Sequence, residues 1–202
     1  MDGSDPAFTY LALRGAEMEP WLEELGRLRI RVFREYPYLY DGDLDYERKY
    51  LERYRNSPGG LVVLLKSGDQ VVGATTCLPM ADETAEFQEP FRRARYDLRQ
   101  VFYFGESLIL SSFRGQGAGR EFFRQREEHA RNSGAFRYTV FCAVDRPADH
   151  PARPRGYRPL DAFWTELGYL RQPGLRCEFS WKETSEAAPT RKSLTFWMKD
   201  WE

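Results

Sequence analysis

Residues 101–120, VFYFGESLILSSFRGQGAGR, decide the fold of this chain. Positions 101–110 form a mostly apolar run with the length and composition of a buried β-strand. Glycines follow at 115, 117 and 119, and apolar residues recur at helical spacing from about 117 to 133. A strand that runs through a glycine-rich turn into a helix brings free backbone N–H groups to the positive end of a helix dipole. This arrangement is typical of a phosphate-binding site.

The glycine turn does not match two common nucleotide-binding motifs. It lacks the G-x-x-x-x-G-K-[ST] pattern of a P-loop, and Arg120 stands where the dinucleotide-binding pattern G-x-G-x-x-G requires its last glycine. Three glycines still allow a backbone to approach a pyrophosphate closely. The alternative is a glycine-rich turn without a ligand, because short glycine patterns are frequent in unrelated sequences.

Upstream of this segment the sequence predicts strands and two helices. Residues 8–13 form a short strand, and Pro20 begins a helix whose apolar residues recur at spacings of three and four. A second helix is predicted over residues 43–54. Two apolar runs, 61–65 and 71–78, flank a short polar turn, which predicts an antiparallel hairpin.

Downstream of the hairpin the composition changes twice. The polar stretch 79–100 is predicted as an inserted lid or edge segment, and Pro90 argues against one unbroken helix within it. Beyond the helix at 117–133, the pattern predicts a strand, a short helix and two further strands, at 138–144, 160–167, 175–182 and 193–199. The elements together predict an α+β fold with a mixed, mostly antiparallel central sheet of about seven strands flanked by helices.

Composition indicates one globular domain over residues 1–202. The chain has 30 Lys and Arg against 31 Asp and Glu, a formal net charge of −1, so it has no basic field for a nucleic-acid partner. No apolar run of about 18 residues predicts a membrane span, and residues 1–5 lack the basic and apolar regions of a signal peptide. We therefore expect a cytoplasmic protein that has no membrane partner.

Cysteines and histidines are too few and too scattered for a metal centre. Cys77, Cys142 and Cys177 lie in apolar stretches without C-x-x-C spacing, and their odd number leaves one thiol outside any disulfide framework. His129 and His150 belong to no metal-binding or Ser-His-Asp motif. We expect no metal, and chemistry that depends on carboxylates, tyrosines, thiols or backbone groups.

Two motifs resemble those of one family. Arg114-x-x-Gly117-x-Gly119 resembles the [QR]-x-x-G-x-[GA] signature of the GNAT superfamily of acyl-CoA-dependent N-acyltransferases. Residues 163–169, FWTELGY, resemble the later F-Y-x-x-x-G-F segment of that family, and the order of predicted elements is similar throughout. The resemblance implies a GNAT-like acyl-CoA N-acyltransferase fold, with acetyl-CoA as co-substrate and acetyl transfer to a primary amine of a small molecule or peptide.

The resemblance also implies where the coenzyme binds. The pyrophosphate would rest on the N–H groups of the glycine turn, and the pantetheine arm would pair with the end of the strand 101–110. A bulge at Gly105 would part this strand from the strand 138–144 and open a slot for the thioester; the alternative is that Gly105 only relieves crowding. The N–H of Ile109 or Leu110 is implied for the oxyanion. The implied coenzyme-binding residues are Leu108, Ile109, Leu110, Arg114, Gly115, Gln116, Gly117, Ala118, Gly119, Arg120 and Trp164.

Glu106 is the candidate general base, because it is the acidic residue within the strand 101–110. A charge in an apolar strand is costly unless it is paired or functional, so a structural salt bridge is the alternative. The family's usual glutamate falls nearer Tyr103, and in this respect the chain departs from the pattern.

The candidate general acid is also displaced. Trp164 stands where the family commonly has a tyrosine, and an indole N–H is not a useful proton donor. Tyr157 and Tyr169 are the candidate acids in its place. A proton relayed by solvent is the alternative, since a thiolate is a good leaving group.

Three kinds of side chain are candidates for recognising the acceptor: aspartates at 41, 43 and 45, tyrosines at 36, 38 and 40, and arginines at 146, 153, 155 and 158. The aspartates either attract an ammonium group or cap the helix that follows. The tyrosines either line a pocket for an aromatic or apolar acceptor or pack on the core. The arginines either meet an anion or form a solvated face.

We expect direct transfer in a ternary complex. The neighbours of Cys142 in its strand supply no cation to activate the thiol for an acyl-enzyme route. The first alternative is a non-catalytic acyl-CoA-binding or sensor module, which Trp164 favours. The second is a protein-modifying acetyltransferase, which needs an open peptide groove. A homodimer is also compatible with the sequence.

Overall fold

The described part of the chain folds into a seven-stranded sheet flanked by helices. The computed structural model describes residues 8–134 and 136–202; residues 1–7 of the predicted domain, and Ala135, lie outside the described residues. The strands are β1 (Phe8–Leu13), β2 (Leu61–Ser67), β3 (Gln70–Pro79), β4 (Val101–Ile109), β5 (Tyr138–Val144), β6 (Leu170–Trp181) and β7 (Thr190–Asp200). The α-helices are α1 (Leu22–Phe33), α2 (Leu44–Asn56), α3 (Ala85–Arg93), α4 (Ala118–Asn132) and α5 (Asp161–Glu166).

The strands follow the order β1-β2-β3-β4-β5-β7-β6 across the sheet. All neighbouring strands are antiparallel except β4 and β5, which are parallel. The mixed, mostly antiparallel sheet predicted from the sequence is confirmed. Among the described residues, no helix has both the length and the apolar character that crossing a membrane requires.

Helices cover both faces of the sheet, and two neighbouring residues of β4 show how they divide. Phe104 contacts Phe123 of α4 with 6.1 Å between ring centroids, while Tyr103 contacts Phe87 of α3 at 5.3 Å. Residues of α1, α2 and α3 line one cavity together with Tyr103. These three helices therefore lie on one face, and α4 lies on the other.

The segment 79–100 is part of the core, and the expectation of a lid was wrong. Its apolar residues Met80, Phe87, Phe91 and Leu98 are buried against β4, β5, β6 and β7. The ring of Phe91 lies 4.8 Å from that of Phe196 in a T-shaped arrangement. In α3 the charged residues Glu86, Glu89, Arg92 and Arg93 are exposed, because an amphipathic helix presents only one stripe to the core, while Gln88 is buried and bonds to the backbone of residues 80, 81 and 83.

The largest difference in strand boundaries is at β6, which begins at Leu170 instead of residue 175. Pro173 and Gly174 interrupt the strand pattern in the sequence. Pairing with β7 nevertheless continues on both sides of them, with an irregular register between Gln172 and Arg176. Since β6 is at the edge of the sheet, a proline that cannot donate a ladder hydrogen bond is tolerated there.

The bulge expected at Gly105 is present in β4. Gly105 and Glu106 together face the single residue Thr76 of β3. A Cβ atom at position 105 would overlap the Tyr54 hydroxyl and lie 2.5 Å from Thr76 Oγ1. Gly105 therefore lies in the bulge and also leaves room for the Tyr54 hydroxyl. Both interpretations of Gly105 apply.

Beyond the bulge, β4 and β5 separate. Their parallel pairing is limited to residues 101–103 and 138–140, although β4 continues to Ile109 and β5 to Val144. A bulge increases the local twist of a strand and ends regular pairing. The result is a V-shaped gap between two central strands, in the position expected for the slot.

We predict that Gly105→Ala destabilises the fold by about 1–3 kcal/mol, the usual cost of overpacking a core. The Tyr54 ring is fully buried, so its hydroxyl cannot move aside without disturbing α2. The matched control is Gly174→Ala, where an added Cβ meets no atom within 4 Å. Thermal and urea unfolding followed by circular dichroism measure both; equal stability of the two variants would contradict the role assigned to Gly105.

Candidate active site

The glycine turn has the donor arrangement that an anion requires. Gly115 and Gly117 have φ values of +81° and +85°, in the left-handed region that favours glycine, and α4 begins directly after Gly117. Within the described chain, the backbone N–H groups of residues 115–119 have no backbone acceptor, whereas the Arg120 N–H already donates to the Gly117 carbonyl at 3.0 Å. Five N–H groups are thus available at the positive end of a helix.

The two arginines that bracket the turn are engaged in holding it in place. Arg114 Nε donates to the Ile109 carbonyl at 2.8 Å, and its Nη1 pairs with Glu35 at 2.7 Å. Arg120 Nη2 pairs with Glu166 of α5 at 3.0 Å. Arg114 therefore ties the turn to the end of β4 and to α1.

The backbone of β4 presents alternate residues to the gap. The Leu110 N–H donates to the Val72 carbonyl at 2.9 Å, which corrects the expectation that it serves the oxyanion. By the alternation of an antiparallel ladder, Leu108 also directs its backbone groups to β3, whereas those of Ser107 and Ile109 face away from β3, toward the gap. Of the three residues expected to pair with the pantetheine arm, Ile109 is the one placed to do so, and Ser107 was missed.

A cavity of about 280 Å³ lies at the narrow end of the gap. Gly105 and Glu106 of β4 and Cys142 of β5 form its floor beside the bulge, and the other walls come mainly from α1, α2, α3, β6, β7 and the loop between α1 and α2. Nine of the lining side chains are aromatic. Over residues 8–134 and 136–202, no three His, Cys, Asp or Glu side chains are grouped to hold a metal ion.

Glu106 is held by four side chains at the wall of this cavity. Its residue is only 5% exposed, and its carboxylate forms an ion pair with Arg29 of α1. The hydroxyls of Tyr50 and Tyr54 donate to Oε2 at 3.2 Å each, and Thr76 Oγ1 donates to the same oxygen at 3.0 Å. The salt bridge considered from the sequence is therefore present, and the carboxylate also borders the cavity.

Arg29 links Glu106 to a second buried carboxylate. It pairs with Glu47 of α2 as well as with Glu106, and its guanidinium carbon lies 3.8 Å from the centroid of the Tyr50 ring. Burial by itself would lower the pKa of Arg29, but the neighbouring Tyr50 and Glu47 raise it above its usual value. Arg29 thus faces two carboxylates, and a second buried arginine, Arg126 of α4, donates to the Glu106 carbonyl at 3.4 Å from the other face of the sheet.

The tyrosines of the cavity stay protonated. Burial raises the pKa of Tyr50, and it raises the pKa of Tyr103 well above the usual value. Tyr103 Oη lies 3.4 Å from Cys142 Sγ at the floor of the cavity. Neutral phenols of this kind donate hydrogen bonds and relay protons, but they do not act as anionic bases.

Arg29, Glu47 and Tyr50 were not identified from the sequence, although a signal for them exists. Arg29 lies four residues after Leu25 on the buried stripe of α1, and Glu47 and Tyr50 are three residues apart on the buried face of α2. A charged residue on the apolar stripe of a helix indicates a buried polar network.

Tyr169 does not serve this site, and its assignment as a general acid was wrong. It is fully buried, its hydroxyl lies 3.0 Å from Thr139 Oγ1, and it donates to Glu127 Oε1 at 3.1 Å. Its ring packs on Phe123 of α4, across the sheet from the cavity. Its position after the later motif therefore places it in the core.

Tyr157 and Trp164 also lie outside the described lining of the cavity. Tyr157 packs against Tyr36 in a T-shaped arrangement with 4.7 Å between centroids. The Trp164 ring contacts Phe141 at 5.0 Å and Trp197 at 5.1 Å. Tyr157 thus belongs to the proline-rich loop, residues 145–159 between β5 and α5, and Trp164 anchors α5 to β5 and β7.

The other acceptor candidates have structural partners, and several also line the cavity. Asp43 caps α2 by accepting the Tyr46 N–H at 3.0 Å, Asp41 pairs with Lys182 at 2.9 Å, which lowers the pKa of Asp41, and both aspartates line the cavity. Arg146 donates to the Pro37 carbonyl at 2.6 Å and pairs with Glu183 at 2.6 Å, so it holds a loop. Two of the three tyrosines, Tyr38 and Tyr40, line the cavity as the sequence suggested.

Sequence comparison gives one family match. A model of the family described as "Acetyltransferase (GNAT) family" matches residues 22–157. No curated protein matches the chain in sequence. The matched region runs from the start of α1 to the proline-rich loop, so it contains the bulge, the gap and the glycine turn.

Solved structures with the same fold cover nearly the whole chain. A candidate acetyltransferase from Salmonella typhimurium, solved with its cofactor acetyl-CoA, has a TM-score of 0.61 at 12% identity, over 97% of this chain and 95% of that one. A ribosomal-protein-alanine N-acetyltransferase from Brucella melitensis has a TM-score of 0.59 at 17% identity, over 94% and 99%. A GNAT-family acetyltransferase from Streptococcus pneumoniae has a TM-score of 0.60 at 12% identity, over 96% and 99%.

We predict that Gly119→Asp weakens acetyl-CoA binding by roughly 10- to 100-fold through repulsion of the pyrophosphate, while Gly119→Asn has a much smaller effect. Both side chains fit, because the nearest atom to an added Cβ is Phe163 Cζ at 3.7 Å. An aspartate in the first turn also stabilises a helix, so folding is preserved. Calorimetry measures both affinities; equal affinities for the two variants would contradict an anion site at this turn.

Proposed function

Because the chain belongs to the GNAT acetyltransferase family, we propose that it transfers the acetyl group of acetyl-CoA to a primary amine of a small molecule or peptide. The observation that carries this proposal is the continuity of the site: the gap between β4 and β5 joins the free N–H groups of residues 115–119 to the cavity at Glu106. A cytoplasmic location and a homodimer remain predictions from the sequence.

The residues around the gap fit coenzyme A. The N–H groups of residues 115–119 would hold the pyrophosphate, and the outward N–H of Ile109 would pair with the pantetheine arm, because the Ile109 carbonyl already accepts from Arg114 Nε. Acetyl-CoA supplies an acetyl group already activated as a thioester. The presence of acetyl-CoA in the Salmonella typhimurium protein of similar fold supports this choice.

The Tyr50 hydroxyl is the proposed first acceptor of the amine proton. Its hydroxyl borders the cavity and donates to Glu106 Oε2 at 3.2 Å. The ammonium group of the acceptor first loses one proton to solvent. When the neutral nitrogen then attacks the thioester carbon, its proton passes to Tyr50 Oη while the Tyr50 proton passes to Glu106. The lone pairs of the Glu106 carboxylate already accept hydrogen bonds. The relay lets this carboxylate act as the base through the Tyr50 hydroxyl. The outward N–H of Ser107, directly after the bulge, stabilises the developing oxyanion, and solvent protonates the departing thiolate.

A non-catalytic acyl-CoA-binding module is the second candidate. Two observations favour it: Trp164 replaces the tyrosine of the family pattern, and four partners surround the Glu106 carboxylate. Thiol release from acetyl-CoA, measured over a panel of primary amines, separates the candidates. Transfer to at least one amine supports the enzyme, whereas tight coenzyme binding without transfer to any amine supports the binding module.

We predict that Glu106→Gln lowers kcat by roughly 10²–10⁴-fold with little change in acetyl-CoA affinity. Arg29 keeps Glu47 as a partner in this variant, so the buried charge remains compensated. Tyr50→Phe is expected to act in the same direction, because it removes the relay and leaves the ring in place. Steady-state rates and calorimetry on the purified variants measure both effects.

Tyr54→Phe is the matched control for the relay. Tyr54 donates to the same oxygen of Glu106 at the same 3.2 Å, but it lies outside the described lining of the cavity. We expect its kcat to stay within about tenfold of the wild type, the range of one lost neutral hydrogen bond. A loss as large as that of Tyr50→Phe would mean that the hydroxyls act structurally and that no relay exists.

We also predict direct transfer without an acyl-enzyme. Cys142 Sγ borders the cavity, so an acyl-cysteine is sterically conceivable, but its neighbour within 3.4 Å is the neutral phenol of Tyr103. Neither this phenol nor the neighbouring Cys177 thiol is a cation that would activate Cys142 as a nucleophile. Initial rates against both substrates should give intersecting lines, and Cys142→Ala should keep most of the activity. Parallel lines with acetylated Cys142 in mass spectrometry would overturn this mechanism.

A further inference from the structure

The walls of the cavity are aromatic and belong to the rigid core. Phe33 and Tyr38 are 4.7 Å apart between ring centroids, Phe87 lies 5.7 Å from Phe179, and Tyr38 lies 5.9 Å from Trp181. Except for Tyr38, these rings are carried by α1, α3 and β6, and each is fixed by a neighbouring ring. A guest ring can make edge-to-face contacts with several of them at once.

The loop between α1 and α2 is fastened to the end of β6 at one side of the cavity. Trp181 Nε1 donates to the Tyr38 carbonyl at 3.0 Å, and the Asp41 N–H donates to the Lys182 carbonyl at 2.8 Å. Arg146 adds a bond to Glu183 at 2.6 Å from below this loop. These hydrogen bonds close the cavity on this side. An extended peptide would need an open groove there.

Carboxylates stand at both ends of the cavity. At the rim, Asp41 pairs with Lys182, and Asp43 lines the cavity without an ion-pair partner among the described residues. At the floor, Glu106 borders the cavity, and Arg29 is shared between Glu106 and Glu47. An ammonium group at the floor therefore lies beside a carboxylate, next to the bulge where transfer is proposed, whereas a carboxylate on the same molecule is repelled from it.

From these contacts we infer that the acceptor is an arylalkyl primary amine, with its ammonium group at the Glu106 end and its ring between Phe33, Phe87, Phe179 and Trp181. This inference rests on the proposed acetyl transfer and names the substrate class. A cavity of about 280 Å³ has room for one ring on a short alkyl chain. A short diamine has no ring to contact these walls and places its second cation among them, where desolvation is costly.

Five probe amines test the assignment by their kcat/KM with acetyl-CoA: phenylethylamine, cyclohexylethylamine, butylamine, putrescine and phenylalanine. Phenylethylamine should exceed cyclohexylethylamine by about tenfold, since ring contacts add to apolar burial, and butylamine by about 10²-fold. Putrescine and phenylalanine should be poorer than butylamine. Equal or better turnover of putrescine, phenylalanine or butylamine than of phenylethylamine would overturn the inference and leave the proposed function standing.

Binding gives a readout that does not depend on turnover. Calorimetry with the coenzyme A complex should show phenylethylamine binding about tenfold more tightly than cyclohexylethylamine. If this preference appears while no amine is acetylated, the assigned ligand class stands and the proposed function fails. If neither amine binds more tightly than butylamine, the aromatic assignment fails whatever the activity.

Phe179→Ala tests the wall itself. It should raise KM for phenylethylamine about tenfold and leave KM for butylamine near the wild-type value, because the smaller amine does not reach that ring. Phe136→Ala is the matched control: Phe136 is half-buried, and its ring packs at 4.7 Å on Phe102, on the α4 face. Phe179→Leu keeps the volume if the alanine variant is unstable. An unchanged ratio of the two KM values in both Phe179 variants would contradict the inference.

Discussion

The absence of a side chain at position 105 is the constraint on which the site depends. Because Gly105 has no Cβ, the Tyr54 hydroxyl of α2 reaches into the sheet beside Thr76 Oγ1. Both hydroxyls donate to the carboxylate of Glu106 and fix it toward the cavity. The bulge formed there also ends the pairing of β4 with β5 after residues 101–103. One close approach between a helix and a strand thus sets the width of the gap and the direction of the candidate base.

Burying the polar cluster of Arg29, Glu47 and Glu106 costs free energy, which contacts among its members offset. A buried ion pair is stabilising only when its remaining polar atoms are also satisfied. Here Arg29 meets two carboxylates and stacks on Tyr50, while the guanidinium of Arg53 lies 4.3 Å from the centroid of the same ring. Tyr50 is therefore immobilised by its ring and points its hydroxyl at Glu106. The same contacts that compensate the charges hold the proposed relay in position.

Local patterns predicted the fold, but they did not predict which residues meet at the site. The strands and the glycine turn follow from composition and spacing along 101–120. The partners of Glu106 come from α1 and α2, so no pattern within β4 names them. Tyr169 follows the later motif as expected, yet it faces α4, because order along the chain does not tell which face of the sheet a side chain occupies. The hydrogen-bond pattern between β3 and β4 likewise directs the backbone groups of Ser107 and Ile109 toward the gap, and those of Leu108 toward β3.

In the proposed reaction the acceptor loses its charge at the site that attracted it. An ammonium group enters toward a cluster in which Arg29 faces two carboxylates. It gives up one proton to solvent before the nitrogen attacks, a second proton passes through Tyr50 to Glu106 during transfer, and the acetylated product is a neutral amide. The electrostatic attraction that favoured entry is then absent, and only contacts with the aromatic walls hold the product. The aromatic walls therefore select the acceptor, while the proton transfer weakens binding of the product. The site is ready for another acceptor when Glu106 loses its proton to solvent.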